Sequence, residues 1–94
     1  MADIDISRPH QLGLDGARRA AEAVAQRLVN EFGVRSGWRG DTLRVEGRGV
    51  KGALEASATA VRVTATLGLM ARPFRRALER EIERELDRVA PSPA

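Results

Sequence analysis

Apolar residues recur along the chain with two different periods, and the changes of period mark the elements. Ile4 and Ile6 alternate with Asp3, Asp5 and Ser7, the two-residue period of a short half-buried strand, which Pro9 ends. Leu14, Ala17, Ala21, Val24, Leu28 and Phe32 then repeat at three- and four-residue spacing and predict an amphipathic helix. Gly13 or Leu14 stands near its cap and Asp15 in its first turn, where the helix dipole favours an acid. Gly33 supplies the left-handed residue that stops it. Arg18, Arg19, Glu22, Gln26 and Asn30 occupy the outer side, with Arg18 and Glu22 spaced as an i,i+4 ion pair.

The middle of the chain reads as a meander. A two-residue turn at Gly40-Asp41 sets Trp38 opposite Leu43 and Ser36 opposite Val45, so that Val34, Ser36, Trp38, Leu43 and Val45 share one face. Gly47-Arg48-Gly49 makes the next bend. Val50, Gly52, Leu54 and Ala56 alternate, as do Val61, Val63, Ala65 and Leu67. A turn centred on Ala58-Thr59 pairs Ala56 with Val61, Leu54 with Val63 and, on the opposite face, Glu55 with Arg62 as a cross-strand ion pair. Ala-Thr is poor turn chemistry, which favours a longer loop there.

Gly68 ends the sheet, and Pro73 suits a first helical turn. Phe74, Leu78, Ile82, Leu86 and Val89 form a second apolar stripe, with Arg75–Glu79, Arg80–Glu83 and Arg84–Asp87 as charge pairs outside it. The order is β-α-β-β-β-β-α. Two one-striped helices and strands with one apolar face pack economically as an α+β fold, with both helices on one side of a twisted antiparallel sheet. Residues 1–90 make a single domain, and 91–94 a frayed tail.

Composition narrows the function. The 94 residues suffice for one modest core, and the absence of cysteine excludes disulfides and thiolate metal sites. The first residues lack the pattern of a secretory signal, and no apolar run is long enough to span a bilayer, which points to a cytoplasmic protein. Of the 16 cationic side chains all but Lys51 are Arg, and the net charge of +3 lies entirely in the second half. That excess is weaker than a nucleic-acid-binding domain shows.

Candidate chemistry is sparse. His10 has no Asp or Ser partner set by spacing and reads as a surface or helix-start histidine. No carboxylate pair, metal-ligand spacing or phosphate-binding glycine pattern stands out, so the chain reads as a non-enzyme without cofactor. Arg35, Arg39, Arg44, Lys51 and Arg62, with Glu46 and Glu55, project from the wet face of the sheet. Phe32, Trp38 and Phe74 all fall on the helix side, which removes the base-stacking platform of single-strand binders. The start of the second helix breaks a rule: Arg72, Arg75 and Arg76 sit where the dipole disfavours cations, just after an unpartnered Leu69-Met70. Those five residues are the candidate site for a partner or an anion. Leu69 and Met70 act there as a staple on the helix or as an exposed apolar tip.

The segment Ile6-Ser7-Arg8-Pro9-His10-Gln11-Leu12-Gly13-Leu14 followed by Ala17-Arg18 resembles a family of small bacterial polyhydroxyalkanoic acid system proteins. The resemblance continues through Gly40-Asp41-Thr42-Leu43, Gly49-Val50-x-Gly52 and Leu67-Gly68-Leu69-Met70, from Ile4 to about Val89. It implies association with polyester storage granules and assigns no activity and no catalytic residue. The expected role is an accessory protein that binds the granule surface or granule-associated proteins. The alternatives are an apolar-ligand carrier with a pocket lined by Trp38, Leu54, Val63 and Phe74, a nucleic-acid-binding regulator of granule genes, and, last, an enzyme of hydroxyacyl hydrolysis or isomerisation. A homodimer is left open.

Overall fold

A computed structural model describes residues 2–91; the tail expected at 91–94 falls, from residue 92 on, outside them. Five strands and two helices follow in the expected order: β1 (Ile4–Pro9), α1 (Gly13–Phe32), β2 (Arg35–Arg39), β3 (Thr42–Gly47), β4 (Val50–Ala56), β5 (Ala60–Leu67), a 3-10 turn (Arg72–Phe74) and α2 (Arg75–Val89). All pairs are antiparallel, in the spatial order β1-β5-β4-β3-β2. The first strand therefore closes the sheet on β5, and β1 and β2 are its edges.

The registers follow the side-chain pattern. Trp38 faces Leu43 and Ser36 faces Val45 across a two-residue turn in which Gly40 takes φ +62°. The β3–β4 turn has positive φ at both central residues, Arg48 (+54°) and Gly49 (+80°), the backbone that matches the twist of a tight hairpin. The β4–β5 turn stays tight and centred on Ala58-Thr59, closed by Ser57 and Ala60, because Ser57 supplies what the central residues lack. Its Oγ accepts from the Ala60 N–H at 3.0 Å and donates to the Ala60 carbonyl at 3.0 Å. Ala56 thus faces Val61 and Leu54 faces Val63, as the alternation requires.

Both helices cover one face. α1 lies mainly over β4 with contacts to β2, β3 and β5, and α2 packs beside it and on β1. The side of α1 against the sheet is mostly alanine (Ala17, Ala20, Ala21, Ala25) with Val24 and Leu28, all buried. Beneath lie Leu43, Val45, Leu54, Val63 and Ala65, and α2 adds Leu78, Ile82 and Leu86. Within the sheet, a glycine sits in a tight place. A Cβ on Gly52 would lie 2.8 Å from the Thr64 carbonyl and 3.0 Å from Val45 Cγ2. Leu14 and Phe74, expected in the two stripes, are instead exposed. Leu14 sits in the opening turn of α1, ahead of the buried run that starts at Gly16. Phe74 belongs to the 3-10 turn, whose three-residue pitch rotates it off the stripe.

Charged side chains choose tertiary over local partners. Arg18 leaves Glu22 and bonds Asp41 (2.7 Å) and the Gly40 carbonyl (2.9 Å), while Glu22 accepts from the Trp38 indole N–H. Arg62 turns from Glu55 to a two-pronged bond with Asp5 on the neighbouring β1 (2.9 and 3.1 Å). Arg75–Glu79 forms as expected, at 3.1 Å. The expected Arg80–Glu83 and Arg84–Asp87 pairs give way: Arg84 goes to Glu81 (3.5 Å), and Arg8 of β1 takes Asp87 (2.6 Å). Arg27 of α1 bonds Glu81 of α2 at 2.8 Å, clipping the helices together, and lowers the Glu81 pKa below its ordinary 4.5.

Two expectations test this packing. Gly52→Ala should destabilise the protein by about 1 to 3 kcal/mol, the usual cost of overfilling a packed contact, seen as a lower urea midpoint with an unchanged slope. The Arg27–Glu81 bond has a defined pH window. Because the folded-state pKa of Glu81 is depressed, its contribution is whole above about pH 4.5 and is lost as pH falls through the folded value. Glu81→Gln should therefore melt below wild type at about pH 7, and the two melting temperatures should converge near about pH 2.

Candidate functional site

The segment after β5 places the predicted site residues. Gly68 donates its N–H to the Gly49 carbonyl (2.7 Å), and its own carbonyl accepts from both Ala71 (3.0 Å) and Arg72 (3.1 Å). The chain is thereby turned back within three residues, and Leu69 and Met70 stand at the outside of the bend. Ala71 is buried and anchors it against Gly49. Leu69 is 79% and Met70 85% exposed, so the staple on the helix does not form. Phe74, on the following turn, is 57% exposed beside them. Exposed large apolar side chains among the described residues fall in two groups only, this one and Leu12 with Leu14 at the start of α1.

Met70 and Phe74 also form one wall of a hollow of about 300 Å³, closed by Phe32, Val50 and Leu78 and rimmed by Glu31 and Arg48. Arg48 owes its place to its left-handed backbone, uncommon for a residue with a side chain. Its Nε would lie 3.3 Å from a Cβ on Gly33, the residue that caps α1. The last turn of α1 has no basic residue of its own, so Arg48 brings a cation to the negative end of that helix from a different hairpin. Phe74 and Arg48 were not in the predicted set. The spacing of Phe74 is that of a core residue, and only the positive φ of Arg48 brings it to this end of α1.

Cations surround the apolar group. The first turn of α2 has neither a side-chain cap nor an acid. Arg75 is held by Glu79, whereas Arg72 and Arg76 have no carboxylate within 4.0 Å among the described residues. Arg72, Arg75 and Arg76 are all exposed. The five predicted residues thus share one short stretch of surface: two apolar side chains at its tip, Phe74 beside them, and three guanidinium groups behind.

The other expected sites take different forms. His10 is buried rather than on the surface; its Nδ1 accepts from the Leu12 N–H at 3.0 Å, which braces the start of α1. An accepting Nδ1 places the ring proton on Nε2, which is buried without a partner. The described residues contain no group of three or more His, Asp or Glu arranged to hold a metal ion. Trp38 is half-buried, with Arg18 stacked 4.0 Å from its ring centre, and Phe32 is half-buried against the core. The four residues expected to line a ligand pocket do not meet around one: Leu54 and Val63 are sealed in the core while Phe74 is outside it. No helix among the described residues is long and apolar enough to cross a membrane.

No curated protein and no solved structure matches the chain. A family model does, described as "Putative polyhydroxyalkanoic acid system protein", and it aligns with residues 4–89. That span takes in every strand, both helices and the Leu69–Arg76 bend, and the chain belongs to the polyhydroxyalkanoic acid system protein family.

Proposed function

We propose that this chain is a non-catalytic accessory protein of the polyhydroxyalkanoate storage system that seats on the surface of the polyester granule through Leu69, Met70 and Phe74. The observation that carries this reading is the exposure of those three side chains together on one bend, backed by arginines. Apolar side chains this open stand in water at a cost that burial against a polymer surface would remove. Fully burying a Leu, a Met and a Phe is worth roughly 4 to 9 kcal/mol in sum. Three side chains inserted part-way retain a fraction of that, enough for reversible attachment. Arg48, Arg72 and Arg76 then face the outer layer of the granule, where anionic groups add about 1 kcal/mol per cation at low salt.

Family membership supports the reading by pointing to the storage system. The geometry also suits a surface better than a single small ligand, because Leu69, 79% exposed, is not among the residues that line the hollow with Met70 and Phe74.

Sedimentation with isolated polyester granules tests it. Wild type should pellet with the granules, and Leu69→Asp/Met70→Asp should stay in the supernatant while keeping its circular dichroism and melting temperature. Leu12→Asp, at the other apolar group, should pellet like wild type. High salt should weaken the pelleting without abolishing it, since screening removes only the arginine share. Equal partitioning of wild type and the double variant would exclude the apolar tip as the attachment.

A further inference from the structure

The open face of the sheet carries a second feature, independent of the granule reading. Gly37 lies in the middle of edge strand β2 and has no conformational reason to be glycine. Its φ is not positive, and a Cβ built on it would meet nothing within 4 Å. Glycine inside a strand weakens the strand, and where packing does not demand it, it marks a place where something else comes close. What surrounds it is three arginines. Arg35 and Arg39 stand two residues before and after it on the same face, roughly 7 Å away along the strand. Arg44 of β3 is its direct partner across the ladder, roughly 5 Å away.

Among the described residues Arg35, Arg39 and Arg44 have no carboxylate within 4.0 Å, in contrast to Arg8, Arg18, Arg27 and Arg62. With Lys51 and Glu46 they line a hollow of about 440 Å³ whose floor is open at Gly37. Lys51 reaches Glu46 only at 3.9 Å. Four cations against one acid leave an excess that a single carboxylate cannot balance. A planar carboxylate also has room for few forked guanidinium contacts, whereas a phosphate chain offers oxygens in several directions. No aromatic ring on this face is free to stack a base, since Trp38 points to the helix side and is held by Arg18 and Glu22.

We propose that Arg35, Arg39 and Arg44, over the open floor at Gly37, form a binding site for a soluble di- or triphosphate group. Lys51 completes the charge balance. Gly37 is a specificity residue here: any larger side chain occupies the position of the anion.

The chain has a single tryptophan, Trp38, next to Gly37 and bordering the hollow, and its fluorescence is one readout of the site, with the backbone amide shifts of residues 35–46 as a second. Inorganic pyrophosphate should give a saturable change in one or both. Arg44→Gln should weaken it about tenfold, the loss of one charged hydrogen-bonding partner. Arg80→Gln, which removes a cation on α2, should change it less than about twofold. Gly37→Val should bind no pyrophosphate yet melt at or above the wild-type temperature, since its side chain enters open space and favours a strand. The proposal is overturned if Gly37→Val binds like wild type or loses stability, or if Arg80→Gln weakens binding as much as Arg44→Gln. It is equally overturned if pyrophosphate leaves both readouts unmoved, whether or not anionic phospholipid vesicles or a single-stranded oligonucleotide shift the same amides.

Discussion

The close approach of α1 to β4 governs most of what this molecule can present to a partner. Four alanines on the helix lie over a sheet surface whose centre is a glycine, and a Cβ at Gly52 would already crowd Thr64 and Val45. Under the small side chains of the helix, Leu43, Leu54, Val61 and Val63 are sealed almost completely. Close packing of this kind leaves no room for an internal ligand. It also confines α2 to the remaining strip beside α1 and over β1, where Leu78, Ile82 and Leu86 suffice to fill the core. The chain that links β5 to α2 buries only Ala71, and its larger apolar residues, Leu69 and Met70, stay outside.

Electrostatics divides the arginines into two populations. Those that hold the fold together reach across elements: Arg8 to α2, Arg18 to the β2–β3 turn, Arg27 between the helices, Arg62 to β1. Each is on or near the surface, so each contributes little alone, but together they fix where the edges and helix ends sit. Arg35, Arg39 and Arg44 on the sheet face, and Arg48, Arg72 and Arg76 around the apolar tip, form no such bonds among the described residues. Cations grouped without acids repel one another, and these two groups lie on the two surfaces proposed here to meet a partner. One is apolar with a basic border and suits an extended surface. The other is polar, has an open floor and suits a compact anion.

Local pattern was enough to read the element order, the strand registers and the side of the sheet that is buried. Side chains alternate strictly in a strand, so a wrong register would have put Leu43 and Val45 on the wet side, and the turn residues agreed with the pattern. The Ala58-Thr59 turn shows the limit of scoring the central residues alone, because the stabilising group, Ser57, lies just outside that pair. The same limit applied to the charges. Spacing suggested Arg18–Glu22, Glu55–Arg62 and Arg84–Asp87, but Arg18, Arg62 and Asp87 each took a partner distant in the chain, and Arg84 took Glu81 on its own helix.

The candidate site was legible as a broken rule, basic residues where a helix start prefers acids, next to two apolar residues without a partner. Spacing could not say whether Leu69 and Met70 fold back or project, since both leave the same pattern. Nor could it separate Phe74 from the core stripe, because a 3-10 turn and a first α-turn are alike in sequence and differ in the direction the ring takes. The amino-acid sequence by itself determined the two helices, the meander and the buried face, since these depend on neighbours within a few residues. Tertiary structure alone decided which arginines are occupied, where Arg48 lies and how far the apolar tip stands out. Those outcomes depend on distances between residues far apart in the chain, which only the packing of α1 on the sheet sets.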